Sequence, residues 1–199
     1  MVKVIFNNVT SPYGLLLIAV IVLAVGRVVF KKKYLNCYEI INRHLECFKA
    51  SDNRYSKVSL FLYFGVPVLV SIALVRIRNI DDDVVNIITV IISILTSMLF
   101  TMLTLVLDMR KRIISDKDYN ANKAAISAKL LKETYYSIMY EILNSIIILI
   151  ICFVELFSKS YSRISSLMIY YLVFTLLMNL FMVLKRIFKV IDNDINNDV

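Results

Sequence analysis

The chain predicts an all-α, polytopic transmembrane helical bundle: two helical hairpins plus an N-terminal span, with helical extensions on the cytoplasmic side. Three observations carry this. The 199 residues are 59% hydrophobic with a mean hydropathy of +0.74, whereas soluble domains are about half apolar. The apolar residues gather in runs close to the roughly 20 needed to cross a hydrocarbon core of about 30 Å. Three Gly and two Pro leave no Gly-rich linker, so residues 1–199 read as a single membrane domain. Lipid requires the backbone to satisfy its own hydrogen bonds, which helices do.

The spans follow in order. Residues 13–30 form the first, closed by Lys31-Lys32-Lys33. Only Lys3 precedes it, the reverse of the charge order in a secretory signal, so it reads as an uncleaved anchor. It is also the segment with the weakest argument for a full crossing, and the fallback is a four-span bundle with this segment at the interface. Residues 59–75 and 84–107 are joined by a short turn, as are 137–157 and 164–184, giving the two hairpins. Gly65 and Pro67 predict a kink in the second span.

Charge sets the orientation. The net charge is +8, which in a soluble protein would suggest nucleic acid. Here Lys and Arg concentrate in residues 31–57, 108–135 and 185–199, and only Lys3, Arg76, Arg78, Lys159 and Arg163 lie on the other side. The positive-inside rule places the three basic segments in the cytoplasm of a bacterial inner membrane, with the N-terminus outside. That rule accounts for the charge, so no direct nucleic-acid contact is expected. Cys37 and Cys47 then lie in a reducing compartment, and free thiols are expected.

The basic segments carry helical patterns. Tyr34, Tyr38, Ile41, Leu45 and Phe48 recur at spacings of 4, 3, 4 and 3, one apolar stripe on a helix. Residues 121–134 are rich in helix formers, and Ile187, Val190, Ile191 and Ile195 share a side of the tail. These helices either lie on anionic lipid or continue the membrane helices toward a partner. Lys31, Lys32, Lys33, Arg43, Arg110, Lys111, Arg112, Lys185 and Arg186 are the expected contacts to a cytoplasmic partner or to lipid.

No catalytic constellation is legible. Cys37, His44 and Cys47 fall on one helical face, but no fourth Cys or His is near, and packing explains them better than zinc. No span holds a His to activate a serine. Glu141 and Glu155 are the only acids inside the spans and lie near opposite ends, away from the midplane where a proton relay is expected. No nucleotide loop exists. The expectation is a non-enzyme with no catalytic residue, metal or cofactor.

The strongest polar signal is on the third span. Asn86, Thr89, Ser93, Ser97, Thr101, Thr104 and Asp108 follow at spacings of 3, 4, 4, 4, 3 and 4, which draws one stripe down a helix. Tyr171, Thr175 and Asn179 repeat every four residues on the fifth span, and Asn144 and Ser145 stand on the fourth. Such faces are expected to point away from acyl chains. They serve either as interhelical glue or as the lining of an oligomeric pore, since these short helices alone enclose little space.

Two stretches, Ser93-Ile94-Leu95-Thr96-Ser97-Met98-Leu99-Phe100 and Thr175-Leu176-Leu177-Met178 leading to Leu184-Lys185-Arg186-Ile187-Phe188, resemble small polytopic membrane proteins of bacterial anti-phage defence systems. The membrane subunit of Kiwa is the most similar of these. The resemblance covers about residues 55–191, and the N-terminal span departs from its four-helix plan. It implies a homo-oligomer that senses phage-induced membrane change and works with a cytoplasmic DNA-binding partner; no catalytic residues carry over. The reading that follows is a membrane sensor or scaffold that oligomerises, touches lipid and recruits a soluble cytoplasmic protein. An ion channel or depolarising pore is the first alternative, and a small transporter or its accessory subunit the second.

Overall fold

The computed structural model describes residues 37–48, 57–115, 121–157 and 161–195, together with Ile18, Ile21 and Val22. The proposed span at 13–30 and the Lys31–Lys33 triplet therefore lie outside the described residues, apart from those three positions. By its contacts the chain divides into two compact units, Met1–Glu39 and Ile40–Val199.

The described chain is helical: α1 (Tyr38–Glu46), α2 (Lys57–Ile77), α3 (Asp82–Ser115), α4 (Ala121–Glu155) and α5 (Arg163–Ile195). Three of them, α3, α4 and α5, are long and apolar enough to cross a membrane. The apolar stretch of α2, Phe61–Ile77, is shorter. With 34, 35 and 33 residues, the long helices each run roughly 50 Å at 1.5 Å per residue. That exceeds the hydrocarbon core by about 20 Å. Residues 108–115, 121–134 and 185–195 thus continue the long apolar helices without a break, whereas the described part of 31–57 holds the separate helix α1.

Helix starts are set by local chemistry. Asp81 caps α3, its Oδ1 accepting from the Val84 N–H at 3.0 Å. Asp82 and Asp83 in the first turn complement the helix dipole. Ser162 caps α5 by accepting from the Ile164 N–H at 3.2 Å. The turn between α2 and α3 is fastened to α5: the Ile80 N–H donates to Ser166 Oγ at 3.2 Å and the Tyr170 hydroxyl to the Arg78 carbonyl at 3.3 Å.

Both hairpins exist in connectivity, but packing does not simply follow them. The extensive contacts are α3 on α4, α4 on α5 and α2 on α5. The second hairpin is closed on itself; in the first, α2 lies against α5 instead of its sequence neighbour. The buried positions explain the core. Val85, Ile92, Leu99, Val106 and Ile113 recur every seven residues on α3, and Ile169, Leu176, Val183 and Val190 do so on α5. The central helix α4 carries two such columns, Leu131, Ile138, Ser145 and Cys152 beside Ser127, Thr134, Glu141 and Ile148. A seven-residue repeat keeps one seam facing a neighbour and is the pattern of near-parallel, knobs-into-holes packing.

Candidate functional site

Two apolar clusters fill the core. One, around Leu99, Leu131, Ile138, Val183 and Val190, holds the end with the basic extensions. The other, around Ile80, Val85, Ile148, Cys152 and Ile169, holds the opposite end. Along α4 and α5 a polar layer falls between the two: Glu141, Asn144, Ser145, Thr175 and Asn179 are all buried. Three of the five satisfy themselves. Asn144 Nδ2 donates to the Leu172 carbonyl at 3.1 Å, linking α4 to α5. Ser145 and Thr175 donate back to the carbonyls of Glu141 and Tyr171, both at 2.8 Å.

The other two do not. Both Glu141 carboxylate oxygens and both Asn179 amide atoms are buried without a hydrogen-bond partner among the described residues. Asn179 lies within reach of both the Glu141 carboxyl and the His44 ring, without a well-formed hydrogen bond to either. His44 arrives from α1. Its ring is fully buried, stacked on Tyr140 at 4.1 Å and 4° between planes, with Phe48 edge-on at 5.3 Å and Tyr63 at 5.9 Å. Both imidazole nitrogens and the Tyr63 hydroxyl are likewise buried without partners. Four helices therefore deliver unpaired polar groups to one place: α1 (His44), α2 (Tyr63), α4 (Glu141) and α5 (Asn179).

The surroundings bias the imidazole toward its neutral form. Burial, reinforced by the nearby Arg186 guanidinium, pulls His44 down to about 3. Arg186 is held in turn by Glu133: Nη2 lies 3.6 Å from the carboxylate, and Nη1 donates to the Glu133 carbonyl at 3.1 Å and to Ser137 Oγ at 2.7 Å. Cys47 Sγ leans on the Arg43 carbonyl at 3.3 Å, and burial pushes its thiol up from the ordinary value. A neutral imidazole, a carboxyl, an amide and a phenol in an aromatic enclosure can exchange hydrogen bonds and protons. Among the described residues no group of three His, Cys, Asp or Glu converges to hold a metal ion.

The sequence-derived residues separate into two sets. Asn144, Thr175 and Asn179 point into the bundle. On α3, Asn86, Ser93, Ser97, Thr101, Thr104 and Asp108 are exposed and Thr89 is half-buried. The α3 stripe thus looks outward from a single chain, not into its own bundle. The physical reason is that its hydroxyls need no partner helix: Thr89, Ser93, Thr101 and Thr104 donate to carbonyls of their own helix at 2.7–3.2 Å.

The basic contacts also need one correction. Arg110, Lys111, Arg112 and Lys185 are exposed, whereas Arg186 is bound inside the chain by Glu133 and Ser137 and is not free for a partner. Arg43 is exposed, 3.3 Å from Glu46 and 6.0 Å from the Tyr136 ring. Of the apolar stripe read from the sequence, Phe48 in the turn after α1 is buried while Ile41 and Tyr38 are exposed, and α1 itself buries His44. The convergence of Tyr63, Tyr140 and Glu141 on His44 was not legible in the sequence. Its one available signal was an ionisable residue set into an otherwise apolar run. Comparison with protein-family models, curated proteins and solved structures finds no match to this chain.

Proposed function

We propose that the chain is a non-enzymatic sensor or scaffold of the bacterial inner membrane, coupling an event in the bilayer to a soluble cytoplasmic partner. In this reading the basic end faces the cytoplasm and the N-terminus lies outside. The observation that carries it is the attachment of α1, a short polar helix, to the bundle through the unpaired group of His44, Tyr63, Glu141 and Asn179. Buried polar groups without partners cost stability, so this joint is poor as a fastener. It is suited to a contact that can rearrange when the membrane helices shift, and two arrangements of near-equal energy are what a switch requires. The resemblance to anti-phage membrane proteins supports antiviral defence as its context.

The test is purification of the tagged, full-length chain from its native host in mild detergent. We expect a homo-oligomer with a stoichiometric soluble partner. Lys185→Glu with Lys189→Glu reverses charge on the exposed side of α5 and spares buried Ile187 and Val190; the partner should be lost. Retention of the partner at wild-type stoichiometry would sink this reading.

The outward-facing α3 stripe favours one rival, an oligomeric channel or depolarising pore. Around a shared axis those hydroxyls would meet water. Cysteines placed at Ser93, Ser97 and Thr101 should then react with hydrophilic thiol reagents in membranes, and full protection would leave α3 as a packing face only.

A further inference from the structure

Between α3 and α4, at the basic end, the structure holds a cavity of about 360 Å³ lined by Val106, Leu107, Arg110, Lys132, Tyr135 and Tyr136. Its chemistry is divided. Two cations and two phenols form one part and two aliphatic side chains the other. Among the described residues no carboxylate lines it. The ion pairs among those residues are Arg43–Glu46, Arg78–Asp81 and Arg186–Glu133, and neither Arg110 nor Lys132 takes part in one of them. Glu133, the acid next to Lys132 in sequence, is turned to Arg186. Asp108 is exposed on α3 and does not line the cavity.

Its level along the helices matters equally. Arg110 lies just past the expected end of one span at 107, and Lys132, Tyr135 and Tyr136 just before the expected start of the next at 137. That is the depth at which lipid phosphates lie and at which tyrosines anchor helices. Basic pockets between membrane helices on the cytoplasmic side select anionic headgroups. An arginine fork matches two phosphate oxygens at once.

We propose that this cavity binds the phosphate of an anionic phospholipid. Arg110 and Lys132 supply the charge, the Tyr135 and Tyr136 hydroxyls donate to phosphate or glycerol oxygens, and Val106 and Leu107 meet the first carbons of the acyl chains. The apolar lining decides between lipid and a soluble phosphate, because Leu107 is itself 38% exposed and shares its face of α3 with Phe100, seven residues earlier and 51% exposed. The proposal requires only that α3 and α4 cross a bilayer, so it stands or falls separately from the sensor reading.

Full-length protein in phosphatidylcholine micelles is titrated with phosphatidylglycerol. Retained lipid is read by native mass spectrometry and melting by circular dichroism. Wild type should retain phosphatidylglycerol over phosphatidylcholine by about thirtyfold, the scale of two interfacial charges. Arg110→Gln with Lys132→Gln, both at exposed positions, should abolish that preference while the protein remains helical. Lys129→Gln with Lys189→Gln, exposed cations outside the cavity lining, should keep it. Equal loss in both double variants would mean diffuse attraction to a basic end and overturn the site, as would a wild type without preference. If inorganic phosphate displaces phosphatidylglycerol and itself raises the melting temperature, the ligand is a soluble phosphate and the lipid assignment fails.

Discussion

His44 carries the clearest pH consequence. It is held at about 3 in the folded chain by burial and by Arg186, whereas an unfolded histidine titrates near 6.5. Above that pH both states are neutral and His44 makes no difference to stability. Below it the unfolded chain binds a proton that the folded chain refuses, so stability falls as pH drops from about 6.5 toward 3. The slope is at most about 1.4 kcal/mol per pH unit. His44→Phe keeps an aromatic ring on Tyr140 and removes the titration. In unfolding measured from pH 7 to 4.5, the variant should lose less stability than wild type; parallel profiles would mean that His44 is protonated within the fold. The histidine's location was legible only in part. Its place on an amphipathic segment could be read, but hydrophobic spacing favoured the Ile41–Leu45 face. The ring stacks on Tyr140, and that partner lies 96 residues away in sequence.

At the scale of elements, the long helices outrun their apolar stretches because their extensions are also buried. Ile113 on α3, Leu131 on α4 and Val190 on α5 belong to one apolar cluster beyond the expected span ends. Val190→Asp should therefore cost about 3 kcal/mol or more by placing an unpaired carboxylate in that cluster. Lys189→Asp next to it is exposed and should change stability by about 0.5 kcal/mol or less. Equal effects in thermal unfolding would mean that the extensions are free arms. Apolar run length located α2 to α5 well, since a long apolar run is itself a composition signal; α3, α4 and α5 are the ones long enough to cross a bilayer. The seven-residue columns were present in the sequence and still hard to recognise. On α3 the faces outside the column carry Ile87, Val90, Ile91, Ile94 and Met98, as apolar as the column itself. In lipid, apolarity does not distinguish inside from outside.

For the whole molecule, the outward stripe on α3 bears on assembly. Polar groups are costly against acyl chains, and small hydroxyl residues let helices approach one another closely. On the proposed assembly through this stripe, Ser93→Leu with Ser97→Leu should lower the mass of the particle measured by light scattering in detergent. The change in stability of the single chain should stay within about 0.5 kcal/mol, because both residues are exposed. An unchanged mass would remove α3 from the oligomer contact. The inward residues behave differently: Asn144, Thr175 and Asn179 belong to the chain's own interior, and substituting them should disturb its folding before any assembly.

The sequence by itself determined the helical class, the positions of the apolar helices and the concentration of charge at one end. Each is a property of composition along the chain, and membranes select for it directly. Only the tertiary structure decided that α2 packs on α5, that the α3 stripe faces outward, that Arg186 is bound internally, and that four helices bring His44, Tyr63, Glu141 and Asn179 together. Those outcomes depend on which of several equally apolar faces interlock, and that choice is made by side-chain shape and a few long-range polar contacts. Hydropathy carries no record of either.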